Sequence, residues 1–189
     1  GGFLALGAYL ALGFLKVAGN IWVTMAVAAV LLGVLSVAYN RLLLAPLQRR
    51  GTGVTAMVIV TVSAGICLEY ALLAVVGPDA QSLEVQQSTV HFWLFLLTSI
   101  QVELIVLGAM IMLVAHVVLT YTQVGRAIRA TADNEMLAKS MGIRTRLIVD
   151  MVWMVTGALS GVAGVALAMT AGTFSFTIGS GFLIYAISA

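Results

Sequence analysis

The chain has 189 residues, of which 62% are hydrophobic and only 8% charged, with a formal net charge of +2 and a mean hydropathy of +1.13. Soluble domains are about half apolar and a quarter charged, so this composition excludes an ordinary soluble fold and describes an integral membrane protein. So small a net charge supplies no general field for nucleic acid, and the single Cys67 excludes an internal disulfide framework.

Backbone polar groups must be paired inside hydrocarbon, so each apolar run of about 20 residues is predicted to be a helix. The runs lack the period-2 alternation of barrel strands. The expected class is therefore all-α and polytopic, with about six transmembrane helices forming one domain over residues 1–189. The first span, about 1–16, opens on "GGFLALGAYLALGFLK" without Met or a basic leader, so it does not read as a signal peptide. The second covers about 21–39 and leads into a basic loop, 40–53, with Arg41, Arg49 and Arg50. The third runs over 54–76 and is followed by a loop, 77–90, whose Asp79 and Glu84 have no cation beside them. Pro46 and Pro78 fall in these two loops, so no span is expected to be kinked by proline.

Apolar character then persists from Phe92 to Leu119, more than one span needs. The stretch "HFWLFLL" is expected to lie at the interface, where His91 and Trp93 suit headgroup depth, before a fourth span over 98–120. A second basic loop, 121–147, carries Arg126, Arg129, Lys139, Arg144 and Arg146. The fifth span covers 147–171, and a sixth begins near 178 and is still apolar at Ala189. The chain is expected to continue beyond both ends. The two basic loops hold eight of the nine cations, with Lys16 the exception. They fall on the same side of the membrane, and the positive-inside rule places them in the cytoplasm and loop 77–90 outside.

Within the second basic loop, Asp133 is placed to cap a helix, Glu135 stands in its first turn and Lys139 near its end. Gly142 is placed to terminate it, giving a helix of about nine residues with Leu137 and Met141 on one face, flanked by Asn134 and Ala138. So short a helix is unstable alone in water and needs a surface to dock on. A solvated basic loop that only fixes topology has equal weight on these residues.

Gly157 and Gly161 form a GxxxG pair, and Ser160, Gly164 and Ala168 recur every four residues. Such a bare face favours close helix packing, with a lining for a solute path as the other reading. Glu69 and Glu103 lie inside predicted spans, where a charge costs roughly 2–3 kcal/mol unless paired or solvated. They are candidates for a translocation path, or are protonated or interfacial acids. His91 and His116 have no second ligand at metal-binding spacing, so no metal site is expected. No phosphate-binding loop, nucleophile elbow or HExxH is present, which leaves no catalytic residues to name and no ATP site of this kind.

The run "GRAIRATADNEMLAKSMGIRTRLIV", leading into "GALSGVAGVALAM", resembles the permease subunits of branched-chain amino acid ABC importers of the LivH and LivM type. "GGFLALGAYLA" and "YNRLLLAPLQRR" carry a weaker likeness. The resemblance implies that loop 121–147 is a coupling loop seated on an ATP-binding subunit. Arg126, Arg129, Ala130, Asp133, Asn134, Leu137, Met141, Gly142 and Ile143 would form it. It further implies ATP and Mg held by partner subunits rather than this chain, a second permease subunit, identical or not, and a periplasmic or lipid-anchored solute-binding protein. The setting would be the cytoplasmic (inner) membrane of a prokaryote, with lipid around the spans and no nucleic acid. The cargo would be branched-chain or other hydrophobic amino acids, imported by ATP-driven alternating access. Where relatives often have proline, glycine and lysine after the fifth span, this chain has Phe176, Gly179 and Tyr185. The rival functions are the same machinery for urea, short amides or a simple sugar, an ATP-independent carrier using Glu69 and Glu103, and a membrane scaffold subunit.

Overall fold

The computed structural model describes residues 1–49, 51, 53–77, 81–82, 89–92, 95–175, 179 and 181. Arg50, Pro78, Asp79, Glu84, Trp93, Phe176, Tyr185 and nearly all of the predicted sixth span lie outside the described residues, as do the side chains of Lys16, Arg49 and His91. Two compact units emerge, one of Gly1–Val85 with Trp153–Ala189 and one of Gln86–Val152.

In the first unit, α1 (Gly2–Ala18) and α2 (Ile21–Tyr39) are joined by a two-residue turn. Gly19 takes the left-handed conformation that ends α1, with φ of 60°, a region glycine enters without a Cβ penalty. Asn20 then caps α2, its side chain accepting from the Trp22 amide at 3.0 Å. Both spans match their predicted extents.

The predicted loop after α2 is instead helical. A π-turn over Asn40–Leu44 leads directly into α3 (Ala45–Arg49). Apolar and helix-competent, "LLLAPLQ" lets the helix run on to Gln48, and Pro46 lies in this helix rather than in a loop. Proline lacks the amide that a continuing ladder requires, yet the first turn of a helix tolerates that loss. The wide turn supplies the break, because the Ala45 amide reaches back five residues to the Asn40 carbonyl.

Next comes α4 (Val54–Val76), ended by Gly77. The last helix, α8 (Thr145–Ala171), begins in the second unit and enters the first at Trp153. The core of the first unit is built where α1, α2 and α8 meet: Ala5, Ala8 and Ala11 from α1, Met25, Ala28 and Leu32 from α2, and Val165, Ala168 and Met169 from α8. With no hydrophobic drive between helices in lipid, such small side chains let backbones come close enough for dispersion to hold them. Ser36 adds a polar tie, donating to the Trp153 carbonyl at 2.7 Å. Two residues, Gln81–Ser82 (β1), pair antiparallel with Thr173–Phe174.

In the second unit, Thr89–Phe92 (β2) and Phe95–Thr98 (β3) pair antiparallel as a hairpin, so the described residues of the predicted interfacial stretch are extended and paired. Its β-branched and aromatic composition suits that geometry. Following it are α5 (Ser99–Tyr121), α6 (Gln123–Asp133) and α7 (Glu135–Ser140); β4 (Thr173–Phe174), after α8, belongs to the first unit. Among the described residues, four helices are long and apolar enough to cross a membrane: Ile21–Gln48, Thr55–Val76, Ile100–Tyr121 and Thr145–Ala171. The shorter apolar helix at Gly2–Leu15 stands beside them. The protein is thus an all-α, polytopic membrane protein, with two small strand pairs outside its long helices among the described residues.

Candidate functional site

The α5–α6 corner turns on Thr122 and Gly125. Thr122 caps α6, its hydroxyl accepting from the Gly125 amide at 3.1 Å while donating to the Val118 carbonyl at 2.5 Å. A Cβ on Gly125 would strike the Leu119 and Val118 carbonyl oxygens, so only glycine lets α6 fold back so tightly. In the sequence Gly125 is merely the first letter of "GRA", with nothing to mark that close approach.

Asn134, not Asp133, is the cap of α7. Its backbone is extended, with φ of −155° and ψ of 101°, and its side chain accepts from the Leu137 amide at 3.0 Å. Asp133 is the last residue of α6. Both residue types favour the cap position, and the backbone kink between the two helices decides which one takes it. The helix is consequently six residues long rather than about nine.

At the other end, Gly142 has φ of 81° and closes the helix as expected. Its amide bonds the Lys139 carbonyl, and the Ile143 amide bonds the Ala138 carbonyl, both at 3.0 Å. This is the paired C-terminal closure in which two orphan carbonyls are satisfied by the chain leaving the helix. Glu135 ties the ends together. Its carboxylate pairs with Lys139 at 2.8 Å and accepts from the buried Thr145 hydroxyl at 3.4 Å. The hydrogen bond from Lys139 holds the Glu135 carboxyl below the usual glutamate range.

So small a helix, fastened at both ends, presents large apolar side chains to the outside. Met136, Leu137 and Met141 are 81%, 61% and 78% exposed. A shallow groove of about 270 Å³ runs beside them, lined by Ala130, Asp133, Asn134, Leu137, Ala138, Met141 and Ile143. Seven of the nine residues expected from the sequence thus meet at one feature or its closing turn, with Gly142 at the turn; Arg126 and Arg129 are exposed on the preceding α6.

The candidate path residues fall elsewhere. Gly157 and Gly161 are buried against α2: a Cβ on Gly161 would stand 2.7 Å from the Ala28 carbonyl oxygen, and one on Gly157 would strike Leu32 and Ser36. Gly164 is buried against Leu4, Gly7 and Ala8 of α1. The structure therefore places these three at helix contacts, with no room between them and the neighbouring backbones. Glu69 is buried in the first unit, 6% exposed, and lines a cavity of about 300 Å³. Glu103 is exposed on α5 in the second unit, as is His116. Asp150, an acid the spacing of charges did not bring out, is buried in the first turns of α8.

A profile of the family described as branched-chain amino acid transport system / permease component matches residues 1–189. The chain belongs to this permease family. Among curated relatives, a probable branched-chain amino acid transport permease protein LivH of Methanocaldococcus jannaschii is 29% identical over 176 residues, covering 87% of this chain and 54% of the relative. The chain therefore spans about half the length of the curated relative it matches. No solved structure matches. The long apolar helices are in keeping with a family of permease components.

Proposed function

We propose that this permease subunit belongs to an ABC importer of the prokaryotic cytoplasmic membrane. It moves branched-chain or other hydrophobic amino acids inward by ATP-driven alternating access. The observation that carries this reading is α7: a six-residue helix closed at both ends that turns Met136, Leu137 and Met141 outward. Exposed side chains of that size on a helix too short to stand alone favour a protein partner, and the likeness to a LivH permease favours an ATP-binding subunit as that partner. Segments 40–53 and 121–147 then face the cytoplasm and 77–90 the outside, as the arginines and lysine of the first two favour. A second permease subunit and a solute-binding protein complete the machine. Closure of the ATP-binding subunits would displace α7, and α8, tied to it through Glu135 and Thr145, would carry the displacement into the membrane.

The test is ATP-driven leucine accumulation in proteoliposomes holding the full-length permease with its ATP-binding and solute-binding partners. The double substitution Leu137→Glu and Met141→Glu puts charge on exposed positions without disturbing the fold. It is expected to abolish co-purification of the ATP-binding subunit and uptake together. Undiminished co-purification and uptake would refute the docking role of α7.

A further inference from the structure

The cations of segment 121–147 are not equivalent. Lys139 on α7 is held by Glu135 at 2.8 Å. Arg126 and Arg129 on α6 are exposed and stand in no ion pair among the described residues. Successive residues turn by about 100° around a helix, so the two arginines lie about 60° apart on one face. Val124 and Ile128 lie about 160° from Arg126, on the other side. Asp133 shares the arginines' face, and its exposed carboxylate pairs with neither of them. A helix divided in this way, with cations on one face and branched apolar side chains on the other, suits a boundary between hydrocarbon and water.

The α5–α6 corner puts α6 at such a boundary. The spanning helix before it runs to Tyr121, an exposed aromatic of the kind enriched at headgroup depth. Thr122 alone separates the two helices, and its hydroxyl bonds to both. The Gly125 backbone is packed so closely on the last turn of α5 that a Cβ would strike the Val118 and Leu119 carbonyl oxygens. Arg126 is the next residue, so the end of the spanning helix fixes its level. Neither arginine lines the groove beside α7, where apolar side chains are offered to a protein. A guanidinium without an acidic partner at headgroup depth meets phosphate, whose oxygens match its planar fork of donors. The cytoplasmic leaflet is the one that carries anionic lipid.

We infer that the Arg126–Arg129 face of α6 binds the phosphate groups of anionic phospholipid in the cytoplasmic leaflet. The choice of leaflet rests on the sidedness proposed above, whereas the headgroup contact rests on the corner itself. Asn134 both ends α6 and caps α7, so a headgroup-bound α6 sets the level at which α7 is offered to its partner.

The experiment measures dissociation constants of dioleoyl phosphatidylglycerol and dioleoyl phosphatidylcholine for the purified full-length permease complex, by native mass spectrometry. The wild type should bind the anionic lipid more tightly, by a margin that shrinks with added salt. Arg126→Gln and Arg129→Gln should each weaken phosphatidylglycerol binding about fivefold, the equivalent of about 1 kcal/mol per cation. Neither should change the constant for phosphatidylcholine. Lys139→Gln removes the same charge from the same segment and should leave both constants unchanged. Equal affinity of the wild type for the two lipids, undiminished phosphatidylglycerol binding in the double arginine variant, or an equal loss in Lys139→Gln would overturn the site. So would loss of the ATP-binding subunit from the double variant with its phosphatidylglycerol affinity intact, which would give the arginines to a protein partner. Maleimide labelling of Ser140→Cys from outside would overturn the sidedness, and with it the choice of leaflet, without touching the headgroup contact.

Discussion

At Gly161 and Gly13 the same chemical change should have opposite effects. A Cβ on Gly161 would press on the Ala28 backbone, whereas one on Gly13 of α1 would meet nothing within 4 Å. Gly161→Ala is therefore expected to lower the thermal midpoint of the purified protein, at a cost of about 1–3 kcal/mol for overpacking. Gly13→Ala should leave the midpoint unchanged or raise it, since alanine is favoured over glycine in a helix by about 0.5–1 kcal/mol. Two variants shifting the midpoint equally would contradict the close contact of α2 and α8. Spacing in the sequence identified the glycine face, because every fourth residue returns to one side of a helix. It could not say that α2 takes Gly157 and Gly161 while α1 takes Gly164, which depends on where separate helices cross. Asp133 and Asn134 show a finer limit, since the cap passes to whichever neighbour the backbone leaves extended.

Among the elements, α7 owes its closure to one carboxylate shared by Lys139 and Thr145. Glu135 titrates below its unfolded value, about 4.3, because Lys139 hydrogen-bonds it. The sign follows directly: its contribution is complete above the unfolded pKa and is lost as the pH falls through the lowered folded one. Hydrogen exchange at the Gly142 and Ile143 amides, corrected for intrinsic rate, should stay slow from neutral pH to about pH 5 and quicken at lower pH. Glu135→Gln should remove this pH dependence; a variant that keeps it would place the titration on another group. Both the closing glycine and the acid–base order of α7 were legible in "DNEMLAKSMG", for they are local. The hairpin of β2 and β3 was not, because hydropathy alone does not distinguish an interfacial helix from a paired strand.

For the whole molecule, the polytopic all-α class was the most legible feature, as it follows from hydrocarbon thickness; of about six expected spans, four are helices of spanning length among the described residues, and sidedness is a proposal drawn from where arginine and lysine sit. The cavity around Glu69 was not legible, because it is assembled from α1, α2, α4 and α8 across long separations in sequence. Sidedness can be measured. With Cys67 replaced by Ser, a cysteine at Ser140 should react with a membrane-impermeant maleimide only in inside-out vesicles, and one at Ser82 only in right-side-out vesicles. Labelling of both from one side would reject the proposed topology. The π-turn at Asn40–Leu44 bears on the same question of how ends and spans are related. It gives the second membrane helix one residue more per turn than an ordinary ladder holds, so α3 is out of phase with α2 by about 100°. The phase of α3 is thus set by where the surplus residue resides, not by the span. Were the wide turn to migrate along the helix, the intervening side chains would swing to a new bearing while both ends stayed helical.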